Sequence, residues 1–350
     1  MAVSLRDISE RTGVNICSVS QVLNDHPRAQ SLRPETRAKI LAAAKELGYR
    51  RNELAASVAR RHGNVLGFVS GAMGGVEYTG RIQNGVLDAA SERGYMVTVH
   101  HLTPHNAEEV VDKLMGWRVA GVVFHISRLD AIKCITDVLD RHSIIWGTAN
   151  LSNPGGIGVT SDDAAGIESA VRYLHKYGHK KIVFLAKFLG LSEYQVRREA
   201  GFRAGMRKHY PAQDPIVLHL KEGNFLLDED YMRELAKDFV RDGVDAVVCE
   251  SDLLALMLGK GALSAGLSLP EAFSMIGFGD SIYSMAAYPC LTTIAQDFEK
   301  MGGGTVHFIT DAIEGKNLSA TRDVLLPVKI TERKSVCDRG VVQPKKRSRK

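Results

Sequence analysis

Several features that mark particular protein classes are missing from this 350-residue sequence. Its five cysteines are scattered, odd in number and form no CxxC pair, which argues against a disulfide framework and against a zinc site. No apolar run approaches the length of about 18 residues that a membrane span needs. The first residues turn polar at once and contain no apolar signal core. We therefore expect a cytoplasmic protein with no metal site and no membrane partner.

Catalytic signatures are also missing. The sequence contains no GxSxG nucleophile elbow, no GxxxxGK[ST] phosphate loop and no HExxH zinc motif, and its 12 histidines are dispersed. The glycine-rich stretch at 71–75 follows an apolar run but does not match GxGxxG. We predict that the chain is not an enzyme, has no catalytic residues and uses no cofactor.

Positive charge is concentrated at the two ends of the chain. Residues 1–62 contain 11 Lys and Arg against 6 Asp and Glu, and residues 338–350 contain 6 against 1, whereas residues 63–337 contain 28 against 33. Basic ends on an acidic body indicate that one part of the protein meets a polyanion. Residues 337–350 are rich in charge and lack an apolar period, so we predict that they form a basic, disordered tail.

The first 50 residues have a helical pattern. Apolar residues three and four apart predict helices over 5–11, over 16–23 and from Pro34 to Leu47, with a loop at 25–33 between the last two. Gly13 is suited to ending the first helix, and Asn15 to capping the second. Two short helices joined by a glycine-containing turn and closed by a third are typical of a helix-turn-helix unit.

From about residue 64 to 335, short apolar runs alternate with amphipathic stretches. Strands are predicted at 65–69, 96–100, 121–126, 144–146, 181–186, 216–220, 246–249 and 274–278, and helices at 81–93, 164–177, 199–209 and 251–265. This alternation predicts parallel sheets covered by helices on both faces, in two doubly wound lobes. Ligands of such sheets bind beyond the C-terminal ends of the strands.

Eight stretches, in order along the chain, carry a resemblance to a known family. They are SLRDISERTGVN (4–15), SVSQVLN (18–24), PETR (34–37), LGY (47–49), YGHKKI (177–182), IGF (276–278), LTTIAQ (291–296) and LP (326–327) followed by Arg333. Together they resemble the lactose-repressor (LacI) family of bacterial transcription regulators over essentially the whole chain. The resemblance implies an all-α helix-turn-helix headpiece joined to an α/β sensor of two doubly wound lobes, like the periplasmic sugar-binding proteins.

The same resemblance implies a division of the chain and its partners. The headpiece is 1–50, a hinge helix or linker is 51–62, and the effector-binding sensor is 63–336. The sensor's N-lobe is about 64–160 and 292–322, and its C-lobe about 161–291 and 323–336. A homodimer would bind a pseudo-palindromic operator in double-stranded DNA, as a repressor whose DNA affinity depends on a small-molecule effector, a sugar or sugar derivative.

The residues that would contact DNA follow from the family match. Base contacts are assigned to Ile16, Cys17 and Gln21. Ser18, Ser20 and Asn24 are better placed to contact phosphates. The hinge helix that would enter the minor groove contains Asn52, Leu54, Ala55 and Val58. Gln21 can make a bidentate contact to adenine, whereas the family more often has arginine there, so a different operator sequence is expected. Val58 stands where the family commonly has an intercalating leucine, so its wedge should be shallower.

The effector cleft is also assigned by the family match, to Ser70, His125, Asp162, Arg198, Phe225, Asp252 and Gln296. Three positions depart from the family pattern: Ser251 replaces Asn, Gly279 replaces a ligand-binding Asp, and Asn150 replaces Arg or Asp. Two other classes of protein compete with a regulator. A pure sugar-binding protein would lack the headpiece, and a DNA-organising protein without an effector would lack the polar cleft residues. This sequence has the headpiece and an altered polar set, and Gly302-Gly303-Gly304 stands where the family begins a helix.

Overall fold

The computed structural model describes residues 3–24, 26–50, 63–72, 77–187, 192–220, 228–316 and 322–340. The predicted hinge helix, Phe225 and residues 341–350 lie outside these ranges. The chain divides into two compact units, residues 1–64 and 65–350. Within the described ranges, no helix is both long and apolar enough to cross a membrane.

The smaller unit contains the predicted helices. They are α1 (Leu5–Thr12), α2 (Ile16–Leu23) and α3 (Pro34–Glu46). A capping box between Ser4 and Asp7 starts α1, and Gly13 ends it with a φ of 66° that few side chains tolerate. The side chain of Asn15 accepts a hydrogen bond from a backbone amide in the first turn of α2. The helix-turn-helix predicted from the sequence is confirmed.

One apolar core joins these helices. The predicted loop between α2 and α3 is partly structured, because Pro27–Ser31 form a short 3-10 helix whose Ala29 packs into this core. The loop therefore supports the unit as well as connecting its helices. The buried helical side chains of the core are Ile8, Val19, Val22, Ile40, Ala43 and Ala44.

The larger unit contains two sheets. The strands are β1 (Val65–Ser70), β2 (Met96–His101), β3 (Gly121–His125), β4 (Ile145–Ala149), β5 (Ile157–Ser161), β6 (Ile182–Ala186), β7 (Ile216–His219), β8 (Ala246–Cys249), β9 (Ser274–Gly279), β10 (Thr292–Ala295), β11 (Arg322–Leu326) and β12 (Lys329–Thr331). The order in one sheet is β11-β5-β4-β3-β1-β2, and in the other it is β12-β10-β9-β8-β6-β7. Neighbouring strands are parallel except for the antiparallel pair β10 and β12.

Helices cover both faces of each sheet, and an apolar core lies on each face. They are α4 (Glu77–Glu92), α5 (Ala107–Gly116), α6 (Lys133–Arg141), α7 (Asp163–Lys176), α8 (Glu193–His209), α9 (Glu229–Arg241), α10 (Asp252–Ser264), α11 (Ile282–Ala286) and α12 (Phe298–Ile313). The prediction of two doubly wound lobes is therefore confirmed.

The predicted borders between the lobes are wrong by several residues. β10 was placed in the N-lobe, but it pairs with β9 in the C-lobe sheet. β11 was placed almost entirely in the C-lobe, but it pairs with β5 in the N-lobe sheet. The chain therefore crosses between the lobes after β5, after β10 and between β11 and β12. Sheet membership is set by hydrogen-bonded neighbours that are far away in sequence, and local composition does not encode them.

The glycine triplet lies inside α12, where this helix crosses α4 at close range. A Cβ atom on Gly302 would lie 2.1 Å from the carbonyl oxygen of Ile82, and one on Gly85 would lie 2.0 Å from that of Glu299. No side chain fits at either position, so the two helix backbones are in direct contact. The resemblance placed the triplet at a helix start, whereas it lies inside α12. Its first member, Gly302, has a packing role.

The predicted disordered tail begins too early. The backbone amide of Cys337 donates a hydrogen bond to Ser274, and that of Arg339 donates one to the carbonyl of Tyr177. A guanidinium nitrogen of Arg339 also donates to the carbonyl of Glu271, at 2.7 Å. Residues 337–340 are therefore part of the C-lobe, because backbone hydrogen bonds hold them although they carry no apolar pattern.

Candidate functional site

The exposed side of α2 presents the predicted base-reading residues. Ile16 has 42% of its surface exposed and Cys17 is exposed, both in the first turn of the helix. Gln21 lies one turn after Cys17 and is half-buried. The buried side of the same helix carries Val19 and Val22. The core thus fixes which side of α2 is free to meet a groove of DNA.

The three predicted phosphate contacts lie on or beside the same helix. Ser18 and Ser20 are half-buried within α2, and Asn24 ends it. The amide of Asn24 donates a hydrogen bond of 3.1 Å to the hydroxyl of Ser20. These two polar groups are therefore held together at the C-terminal end of α2, whereas Ser18 lies near its N-terminus.

In the larger unit, the C-terminal ends of the strands of both sheets open onto one cleft. Asn150 follows β4, Ser251 follows β8 and Gln296 follows β10, and all three line a cavity of about 160 Å³. A second cavity on the N-lobe side contains His125 and shares Asn150 with the first. The second cavity has a volume of about 470 Å³, which is in the range of small-molecule sites, about 300–1,000 Å³.

Arg198, on α8, is the centre of the polar network in this cleft. It is buried, and its guanidinium donates to the backbone carbonyl of Glu250 at 2.6 Å and to Oε1 of Gln296 at 3.2 Å. Its carbon Cζ lies 3.8 Å from the ring centre of Phe278 and 4.6 Å from that of Tyr194. The two rings and the acceptors hold the arginine in one orientation.

Asp163, rather than the predicted Asp162, is the carboxylate of this network. Asp163 is fully buried and forms ion pairs with Arg197 at 3.0 Å and with Arg198 at 3.3 Å. Its Oδ1 also accepts a hydrogen bond from Ser161. Asp162 instead caps α7 by accepting from a backbone amide, and neither of these two aspartates is among the described residues that line the two cavities. The two neighbouring carboxylates thus divide between an ion pair and a helix cap.

Asp252, the first residue of α10, is buried and saturated with donors. Its carboxylate accepts from the backbone amide of Ser281 at 2.7 Å, from the hydroxyl of Ser281 at 2.9 Å and from the hydroxyl of Thr293. Burial raises the pKa of Asp252 above its ordinary value. The residue therefore holds the start of α10 against Ser281, which precedes α11, and against β10, as well as lining the cleft.

His125 closes the end of β3 and is neutral. Its Nδ1–H donates to the carbonyl of Ala149 at 3.2 Å, so Nε2 must accept from the hydroxyl of Thr79, also at 3.2 Å. Burial lowers the pKa of His125 to about 4. The edge of its ring meets the ring of Tyr78. Both nitrogens are thus engaged within the N-lobe.

The other residues that were considered for the cleft have different roles. Ser70 is fully buried at the end of β1, and its hydroxyl bonds the backbone of Ala72 instead of lining either cavity. Ser251 caps α10. Asp280 follows Gly279, which stands where the family has a ligand-binding Asp, and it is turned toward Arg333 with an ion pair of 2.6 Å. Phe225 lies outside the described residues.

The sequence reading missed several residues that line the cleft. They are Glu77, Tyr78, Lys187, Tyr194, Phe278, Tyr283 and Phe298. Tyr78 and Phe298 stack at 5.3 Å, and both lie in the first turn of a helix that faces the cleft. An aromatic residue shortly after a predicted strand was the one signal that pointed to Tyr78. Among the described residues, no group of three or more His, Cys, Asp or Glu could hold a metal ion.

Comparisons with known proteins agree with both units. Residues 4–52 match the family model of bacterial regulatory proteins of the lacI family, and residues 171–336 match the model of a periplasmic binding protein-like domain. The HTH-type transcriptional regulator RegA of Clostridium saccharobutylicum is 27% identical over 333 residues, which cover 93% of this chain and 97% of RegA.

Solved structures share the fold. A crystal structure of the lac repressor dimer bound to operator and the anti-inducer ONPF superposes with a TM-score of 0.80 at 22% identity, covering 96% of this chain and all of that one. The complex of the transcriptional regulator CelR with cellobiose superposes with a TM-score of 0.67 at 24% identity, covering 95% and 100%. The chain belongs to the lacI family of bacterial regulatory proteins: it is a DNA-binding transcription regulator, not an enzyme, with a periplasmic-binding-protein-like sensor.

Proposed function

We propose that the chain acts in the cytoplasm as a homodimeric repressor, which binds a pseudo-palindromic operator and releases or tightens its hold when a sugar or sugar derivative enters the cleft. The observation that carries this proposal is the cleft itself. Stacked aromatic rings, a fixed arginine and unfilled space meet at the C-terminal ends of two parallel sheets. Aromatic faces and a planar guanidinium are suited to sugar rings and hydroxyl groups.

Operator reading is assigned to α2. Ile16 and Cys17 would contact thymine methyl groups, and Gln21 would pair with an adenine. Ser18, Ser20 and Asn24 would contact phosphates and fix the register of the helix. The hinge residues Asn52, Leu54, Ala55 and Val58 would enter the minor groove; this assignment rests on the family resemblance alone.

Dimerisation is supported by an apolar patch on the C-lobe. Ile282 and Met285 are three residues apart on α11 and are 64% and 59% exposed, and Tyr288 just beyond is 75% exposed. Side chains of this size are normally buried, and such patches mark protein interfaces. The occupant is a second copy of the chain, as in the lac repressor dimer. Sedimentation should show a dimer for the wild type and for Leu263→Lys, which changes an exposed residue elsewhere, and a monomer for Met285→Lys.

The experiment that tests the function begins with selection of bound duplexes from random double-stranded DNA. A pseudo-palindromic consensus is expected, with sub-micromolar affinity in fluorescence anisotropy. The same assay with a panel of mono- and disaccharides should then show at least one that changes operator affinity. Absence of any consensus contradicts the regulator, whereas a consensus that responds to no small molecule contradicts only the sensor.

A further inference from the structure

The cleft has more acidic side chains than cations to pair with them. Glu77 and Asp252 line the cavity, and the fully buried Glu250 directly precedes Ser251, which also lines it. None of these three forms an ion pair with any of the described residues, whereas Asp163, Asp280 and Glu299 each pair with an arginine. Among the described residues that line the cavity, Lys187 is the one cation without an ion pair. The hydrogen bonds from Ser281 and Thr293 satisfy Asp252, whereas Glu77 and Glu250 each keep one buried oxygen without a partner. Unsatisfied carboxylates in a buried place are costly, so these two point to a missing partner.

Among the described residues, three buried acceptor atoms in or near this cavity have no hydrogen-bond partner, beside one unpaired donor, Nε of Arg197. In the described part of the chain, Oε2 of Glu77, Oδ1 of Asn150 and Oε1 of Glu250 are buried and have no hydrogen-bond partner. The donors of Arg198 are already used within the protein. Its guanidinium binds the backbone carbonyl of Glu250 and the side chains of Gln296 and Asp163. A ligand that completes the site must therefore bring donors to these atoms.

The electrostatic environment agrees with this reading. Burial raises the pKa of Glu77, and the nearby carboxylates of Glu299, Asp252 and Asp280 raise it further against the opposing effect of Arg81. The charge of Glu250 contributes to the raised pKa values of Tyr78 and Tyr194, which line the cavity, so its carboxylate lies close to the same space. A cation placed there would favour the ionised carboxylates.

We propose that the effector carries a protonated amino group on a sugar or polyol, with Glu77 and Glu250 as its counter-ions and Asn150 as an acceptor. This inference rests on the proposed function of the cleft as the effector site. The rings of Tyr78 and Tyr194 line the cavity, and a ring face that Phe298 and Arg198 leave free would stabilise an ammonium group. A bare metal ion is not the cation, since the described residues supply no group of three or more ligands.

The test compares each amino sugar with its neutral relatives. Glucosamine, galactosamine and mannosamine are titrated into the full-length protein by calorimetry, beside glucose, galactose, mannose and the three N-acetyl derivatives. At least one amine should bind ten or more times more tightly than its parent and its N-acetyl form. Glu77→Gln and Glu250→Gln, which keep the size of the side chain, should each reduce that preference about tenfold. Glu92→Gln, at the exposed end of α4, should leave it unchanged.

The outcomes separate this inference from the proposed function. Equal or tighter binding of the neutral sugars, or no binding by any amine, overturns the cationic effector. Survival of the preference in both folded variants overturns the assigned counter-ions. A protein that binds its operator and responds to a neutral sugar keeps the proposed function and loses this inference. Failure to bind any operator contradicts the proposed function, and the calorimetric preference is still measured without DNA.

Discussion

The polar side chains around Arg198 satisfy one another inside the protein. The arginine is held by Asp163, Gln296 and a backbone carbonyl, and Gln296 in turn donates to Ser161 at 2.6 Å. A buried network of this kind fixes geometry, because each donor already has its acceptor. Selectivity for an effector then depends on the aromatic faces and on the few acceptors that are left without partners.

Gln21→Ala should relax base preference at one position in each operator half-site. A bidentate contact from glutamine to adenine contributes about 1–3 kcal/mol of discrimination, and alanine removes it without changing the helix. Anisotropy with a set of single-base operator variants measures this. Gln30→Ala, on the exposed surface of the 3-10 helix, is the control. A uniform loss of affinity across all variants would make Gln21 a phosphate-side residue instead.

His125 should make the sensor less stable in mild acid. Its pKa is about 4 in the folded protein and about 6.5 when unfolded, so the unfolded chain binds more protons as the pH falls through this window. Because of His125, the free energy of unfolding should fall by about 2 kcal/mol between pH 7.5 and pH 5. Urea unfolding of His125→Gln should lack that component, whereas the exposed control His105→Gln should retain it. An identical pH dependence in all three proteins would contradict the neutral assignment.

At single positions, sequence reasoning located the cleft but could not choose between neighbours. Asp162 and Asp163 are adjacent, and a shift of one residue at the start of α7 decides which one caps the helix and which one faces the arginines. Arg198, Asp252 and Gln296 were found because a family match gives their positions directly. Glu77 and Phe298 were missed, since both lie in the first turn of a helix and not directly at a predicted strand end.

The crossing of α4 and α12 is an element-scale feature with a clear test. Gly302→Ala should destabilise the sensor by about 1–3 kcal/mol, because the new Cβ meets a backbone carbonyl that cannot move alone. Gly304→Ala is its matched control, since the nearest atoms there are 3.6 Å away in Val159. The free energy of unfolding of Gly304→Ala should rise by up to about 1 kcal/mol, because alanine has a better helix propensity than glycine. Urea unfolding that gives both variants the same change would contradict the role of the close crossing.

Elements were predicted better than their assembly. The eight predicted strands all exist, because a run of apolar residues marks a strand buried on both faces. β5, β10, β11 and β12 were not among the predicted strands. In β5 the alternation of Ile157, Gly158 and Val159 is too short and too rich in glycine to stand out. The lobes of β10 and β11 were exchanged in the prediction, because the sheet that a strand joins is set by hydrogen-bonded neighbours far away in sequence.

At the scale of the whole molecule, each of the two units has its own apolar core. A chain lacking residues 1–62 should therefore remain folded and bind effector with unchanged affinity, while it loses all sequence-specific DNA binding. Circular dichroism, calorimetry and anisotropy measure the three properties. An unfolded product, or a product that still selects its operator, would contradict the division of the chain.

Coupling between the two units can be tested at Val58 in the predicted hinge, which lies outside the described residues. Val58 stands where the family commonly has leucine, and one additional buried CH₂ contributes about 0.8 kcal/mol. With two hinges in a dimer, Val58→Leu should tighten operator binding by up to about 1.6 kcal/mol, roughly tenfold. Val58→Ala should weaken it.

The effector response should move with that affinity. An effector acts through a finite difference in free energy between the DNA-bound and free proteins, and this coupling is reciprocal. An effector that induces release must then reach a higher concentration to displace Val58→Leu from the operator than to displace the wild type. Operator affinity and effector midpoint should be measured side by side for wild type, Val58→Leu and Val58→Ala. Unchanged operator affinity in both folded variants would remove the hinge from the pathway, and changed affinity with a fixed midpoint would show that sensor and hinge are uncoupled.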